Sequence, residues 1–258
     1  MDSEESAVVA NKQLESVYSA RMGEWRALRQ SRESLSIPFF LKVEPAYFAA
    51  TMKCLFVGQE THGWWTDCKI QPSDLRAEQI MDFYLGARRW LHENYHRSPY
   101  WQALRHVANG LGIDAPPESF IFSNVFPCDT DKGQAPLELH EVFRKWKILA
   151  DEVKILAPDI IIFFCGPRYY GNLQAYFGEW PIEPVSKVKP LIEYRPLGQS
   201  WKGLVTYHPG SLRRLQKWHV LDEIIDRLKS KETLARTQCT APTQSWPQAP
   251  PPAEMPTS

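Results

Sequence analysis

Three residues of chemical use stand at or just past the ends of short apolar runs: Glu60 after CLFVG, Asn124 closing SFIFSN, and His208 after GLVTY. A carboxylate can hold a water or balance a cation. An imidazole can carry or donate a proton, and an amide offers donors and an acceptor to a flat ligand. A lone asparagine or histidine at a strand end is more often a cap or a turn former. Three such groups delivered by one sheet argue for a site.

The elements that must position them follow from the apolar patterning. Residues 54–57, 119–124, 160–165 and 203–207 have the length and composition of strands buried on both faces, and 191–194 reads as a further strand. Helical periodicity covers 12–32, 74–95, 137–156 and 220–228, and Ser98-Pro99 and Gly166-Pro167 open two more helices. Strands alternating with helices predict an α/β fold, a three-layer α/β/α sandwich around a central, mostly parallel four-stranded sheet. In such a sheet the carboxyl ends of the strands share one edge, where open α/β folds place their sites. Residues 1–11 read as disordered, 12–232 as one domain, and 233–258, rich in Pro, Thr, Ala, Gln and Ser, as a disordered tail.

Composition narrows the classes further. Thirty basic and thirty acidic residues give a formal net charge of zero, so any nucleic-acid binding must rest on a local basic patch. The five cysteines are odd in number and lack a C-x-x-C pair, which supports neither a disulfide framework nor a metal or iron–sulfur site. No cofactor motif is present. The acidic start MDSEES is unlike a signal peptide, and no apolar run approaches membrane-spanning length. A cytoplasmic, monomeric protein with no membrane partner is expected.

Taken in order, VGQET, FIFSNVFPCD, LAPDIIIFFCG and VTYHPGSLRR resemble the motifs of the uracil-DNA glycosylase superfamily, over roughly residues 50–230. VGQET is similar to a strand ending in Gly-Gln-Asp-Pro. FIFSNVFPCD resembles the strand whose asparagine reads the base. VTYHPGSLRR resembles His-Pro-Ser followed by a leucine that enters the DNA stack. There are departures. Glu60 stands where the best-known members have aspartate, and Gly210 replaces the serine, with Ser211 next. His62 and Gly63 occupy the place where a tyrosine excludes C5 substituents, which implies room for a base modified at C5.

The resemblance implies DNA as partner and hydrolysis of the N-glycosidic bond of a flipped-out pyrimidine, leaving an abasic site. Glu60 would position water and stabilise an oxocarbenium-like sugar, and His208 would donate to the departing base. Gln59, Asn124, His62, Gly63, Trp64 and Phe126 would surround the base, with Trp65 a further aromatic candidate. Ser211, Leu212, Arg213, Arg214 and Lys217 would meet DNA, Leu212 as the wedge. The excised base would be uracil or a modified pyrimidine, in repair or in defence against phage DNA. Asp129 and Asp131 are candidates for a second carboxylate, and Arg88, Arg89 and Arg97 read as the wet face of a helix. A non-catalytic nucleic-acid- or nucleotide-binding member of the fold is the alternative. An unrelated α/β hydrolase lacks its G-x-S-x-G signature here.

Overall fold

Runs of Ile, Val, Leu and Phe too apolar to face water on either side build the centre of the molecule. The strands are β1 (Cys54–Gly58), β2 (Phe120–Asn124), β3 (Ile160–Phe164), β4 (Glu183–Pro184), β5 (Ile192–Tyr194) and β6 (Lys202–Thr206). They form one sheet in the order β2-β1-β3-β6-β5-β4. The computed structural model describes residues 2–65, 68–94, 97–113, 119–130, 133–178, 183–184, 191–194 and 199–230.

The four expected core strands β2, β1, β3 and β6 are mutually parallel, and β5 and β4 extend the sheet as antiparallel strands beyond β6. The sheet is therefore wider than the four strands expected. Every residue of β1 and β3 is buried, as continuous apolar strands under two helical layers must be. One helical group joins α1 (Ser3–Ser31) to α2 (Pro45–Ala49), α3 (Ala77–Asn94) and α6 (Ile148–Leu156). In it α5 (Leu137–Trp146) and α6 both pack on α7 (Tyr170–Phe177). A second group packs α4 (Pro99–Gly110) against α8 (Pro209–Arg214) and α9 (Val220–Lys229). The fold is a three-layer α/β/α sandwich.

Three expectations need correction. The first helix begins at Ser3 rather than after residue 11, because Asp2 caps it by accepting from the Glu5 amide at 2.7 Å. Glu4 and Glu5 suit the positive end of its dipole, and Ala7 and Ala10 are buried. The helix expected over 137–156 is two helices, broken where Lys147 turns left-handed at φ 54°. Finally, Arg88 is no wet-face residue. It is fully buried, ion-paired with Glu44 and set over the Tyr84 ring at 5.7 Å. The expected tail, Asp131 and the side chain of Arg89 lie outside the described residues.

Parallel register aligns the strand ends that matter. Gly58 sits opposite Asn124 across β1 and β2, and Phe164 opposite Thr206 across β3 and β6. Two residues past Gly58 comes Glu60, and two past Thr206 comes His208.

Candidate functional site

A cavity of about 880 Å³ opens at this edge, and Gln59, Glu60, His62, Gly63, Asn124 and His208 all line it. Its polar end is built by the strand ends and its apolar wall by rings. The Trp65 indole stacks on Phe83 with centroids 4.0 Å apart, and Trp64 packs edge-on against Phe83 and tilted against Phe39. Packed on one another, these rings give the cavity a firm aromatic wall.

Glu60 is held at both oxygens. The Ala135 amide donates to Oε1 at 3.2 Å, and the Tyr169 hydroxyl donates to Oε2. Burial pushes the Glu60 carboxyl above its ordinary range, and those two donors oppose that push only in part. The result is a fixed carboxylate with lone pairs left for another donor. Gln59 spends its amide differently: its Nε2 donates to the Cys165 carbonyl at 2.9 Å, tying the β1 loop to the end of β3. Its backbone carbonyl accepts from the Phe126 amide.

His208 caps α8. Its Nδ1 accepts from the Gly210 amide at 3.2 Å, which leaves the proton on Nε2. Burial pulls its pKa down to about 4, so the ring is neutral at physiological pH and Nε2–H is a donor. The glycine at position 210, a departure from His-Pro-Ser, is compatible with this: the bond uses only its backbone. Asn124 packs over Gly58. A Cβ placed on Gly58 would lie 2.5 Å from Asn124 Oδ1 and 3.3 Å from the Tyr100 hydroxyl, so only glycine leaves that amide room.

The segment after Glu60 is locked from outside the cavity. Gly63 takes φ +67°, and its amide donates to Asp129 Oδ2 at 2.5 Å. Burial raises the Asp129 carboxyl above its ordinary range. Asp129 lines a second cavity of about 720 Å³, shared with Gly63, Trp64 and Trp65. It therefore acts on the loop rather than inside the large cavity. His62 is exposed at the rim.

Two expected site residues fall elsewhere. Phe126 is fully buried against His140, Phe143 and Tyr169 and does not line the cavity, because the chain turns inward after Asn124. Phe83 takes its place as the aromatic partner of the tryptophans. Leu212 lies on the buried face of α8 itself, with no accessible surface, and so cannot enter a DNA stack from this conformation. The exposed leucine of that turn is Leu215, 49% accessible. Around it, Arg213 bonds Gln102 and lies over the Trp218 ring at 5.0 Å. Arg214 reaches Ser211 at 3.4 Å, and Lys217 lies one turn on.

Sequence reasoning passes over Tyr169, Ala135, Phe83 and Tyr100. No motif marks them. Tyr169 lies in the 3-10 turn Pro167–Tyr169 after β3, the strand that pairs with β1, and so comes from the edge at which Glu60 stands. Among the described residues no cluster of His, Cys, Asp or Glu has the arrangement to hold a metal ion, and no helix is long and apolar enough to cross a membrane. No protein-family model matches the chain, and no curated protein sequence matches it.

Proposed function

We propose that this protein is a monofunctional DNA glycosylase that hydrolyses the N-glycosidic bond of a flipped-out, deaminated or C5-modified pyrimidine. One observation carries the reading: a fixed carboxylate, an amide and a neutral imidazole donor line a single aromatic-walled cavity at the carboxyl ends of parallel strands. That combination suits a reaction in which a sugar turns cationic while a base leaves as an anion. A neutral donor is the useful form of His208, because it stabilises charge on a base oxygen without first having to be protonated.

In this reading Glu60 holds the attacking water and faces the sugar cation, and the Tyr169 and Ala135 bonds keep it from swinging away. Asn124 reads the base edge in the space that Gly58 leaves. The indoles of Trp64 and Trp65 cover the base face. The cavity, about 880 Å³, is near the upper end of sizes for drug-sized ligands and exceeds what an unmodified pyrimidine ring needs. This favours a base enlarged at C5, beside the exposed His62 and the side-chain-free Gly63. Arg214, Lys217 and Ser211 would contact phosphates, and the wedge passes from Leu212 to Leu215.

The test is abasic-site formation on DNAs carrying uracil, hypoxanthine, thymine mismatches, or 5-hydroxymethylcytosine with and without an attached sugar. Release by the wild type that collapses in Glu60→Gln, Asn124→Ala and His208→Ala supports the reading, and the productive base identifies the substrate. Tight DNA binding with no release from any of them, unchanged in Glu60→Gln, would replace it with a non-catalytic binding role.

A further inference from the structure

Among the described residues the hydroxyl of Tyr100 is buried without a hydrogen-bond partner, in a residue that lines the large cavity. Its ring is well accounted for. It packs edge-on against Trp101 at 6.2 Å and Phe164 at 6.1 Å, and lies parallel to the His208 imidazole at 5.8 Å, with 10° between the planes. A phenylalanine would make all three contacts. The oxygen is what needs a reason, because a buried hydroxyl with nothing to bond costs stability that a phenyl ring would not.

The position of that oxygen supplies one. It stands 3.3 Å from the point a Gly58 Cβ would occupy, and Asn124 Oδ1 stands 2.5 Å from the same point, so phenol and amide flank one small space. His208, stacked on the same ring, brings its Nε2–H to the cavity. Trp64 Nε1, on another lining residue, is a second buried donor that has no partner among the described residues. Alongside the acceptor Glu60, the cavity thus offers three donors, from Tyr100, His208 and Trp64, with one amide that can face either way. A ligand that completes it must bring acceptor oxygens.

We infer that Tyr100 is a specificity-determining residue whose hydroxyl donates a hydrogen bond to a carbonyl oxygen of the bound base, which selects pyrimidines that present an oxo group at that position. This rests on the glycosylase reading for the identity of the ligand as a base. It goes beyond that reading in naming a contact that no motif indicates and the acceptor chemistry it selects. The bond would strengthen as the base gains negative charge, so the same hydroxyl would help the leaving group depart.

The test uses the full chain, comparing wild type with Tyr100→Phe, which keeps the ring beneath His208. Binding of free uracil, 5-hydroxymethylcytosine and the 2-thio and 4-thio analogues of uracil is followed by protein-observed NMR. Single-turnover base release is measured in parallel on the best DNA. Wild type is expected to prefer at least one oxo base over its thio analogue. Tyr100→Phe, with an unchanged or higher melting temperature, is expected to bind oxo bases about tenfold more weakly and to lose that preference. Its single-turnover rate should fall tenfold or more. If Tyr100→Phe binds and discriminates as wild type does, the Tyr100 assignment is overturned and the glycosylase reading stands. If wild type binds no free base and releases none from DNA, both fall together.

Discussion

The Tyr169 hydroxyl donates a hydrogen bond to Oε2 of Glu60 from the turn that follows β3, while the Ala135 amide holds Oε1. A donor to a carboxylate favours the ionised form, so this bond opposes the upward push of burial on Glu60. In Tyr169→Phe that opposition is lost and the Glu60 pKa rises further. The acid limb of kcat/KM for base release should move to higher pH, with kcat reduced at neutral pH. A ¹³C titration of the Glu60 carboxyl should show the same displacement without any DNA present. An acid limb and a titration that both stay in place would show that Tyr169 only fills space.

His208 should contribute no limb near the ordinary histidine value. Burial holds its pKa at about 4, and the Gly210 amide occupies Nδ1. Between about pH 6.5 and 4 the unfolded chain binds a proton there that the folded chain refuses, so this residue's stabilising contribution declines as pH falls through that window. Nitrogen-15 spectra should show a neutral Nε2–H tautomer from pH 6 to 8. An imidazolium signal at pH 6 would contradict it and would assign a charged donor to the leaving base.

Gly58→Ala isolates the room that Asn124 needs. The added methyl would stand 2.5 Å from Asn124 Oδ1, and β1 is too tightly held in the sheet for its backbone to give way. The amide must move instead. Base release should fall by tenfold or more, with thermal stability lowered only modestly, and Asn124→Ala placed on top of it should add little. Independent, additive losses would show that the glycine serves the strand and not the amide.

The four parallel core strands can be read from the sequence because a strand buried on both faces has to be apolar throughout. Ile160–Phe164 admits no other reading, and the polar residues just beyond such runs must collect at one edge. Leu212 cannot be read, since apolarity says that a leucine is buried against something or exposed for a purpose, not which. Its burial depends on α8, a single turn-and-a-half begun by His208 capping Gly210. Phe126 escapes for a related reason: proximity to Asn124 in the chain says nothing about direction once the backbone turns. Tyr100 and Tyr169 reach the site from elements remote in sequence, and neither periodicity nor spacing carries that information. The start of α1 is hidden because an acidic, alanine-bearing segment resembles a tail until Asp2 is seen to cap it.

Behind Asn124 lies a carboxyl that the proposed chemistry does not use. Glu152 is fully buried, and accepts from Tyr18 at 2.7 Å and Ser123 at 2.5 Å. Burial pushes its pKa up to about 8, so it is protonated at neutral pH. Above its unfolded value the folded chain retains a proton that the unfolded chain releases, so this residue's contribution to stability falls as pH rises from about 4.5 to about 8. Glutamine copies the shape of the neutral acid and can still accept from Tyr18 while donating to Ser123. Glu152→Gln should therefore flatten the decline of unfolding free energy over that range and melt above the wild type at pH 9. A variant less stable than wild type at pH 9 would mean that Glu152 is ionised in the fold.

The two leucines of the α8 turn offer the sharpest division between scaffold and DNA contact. Leu212 has no accessible surface, so Leu212→Ala should cost about 2–5 kcal/mol of stability and lower activity only through unfolding. Leu215 is 49% accessible and stands between Arg214 and Lys217 in the chain. As a wedge it would fill the gap left by the departing base, which matters in a duplex and hardly at all in a single strand. Leu215→Ala should leave the melting temperature within a degree or so, slow base release from duplex DNA about tenfold, and leave single-stranded DNA nearly unaffected. Single-turnover assays on matched duplex and single-stranded substrates would read this directly. Equal slowing on both would remove Leu215 from the stack and make it a general contact to the strand.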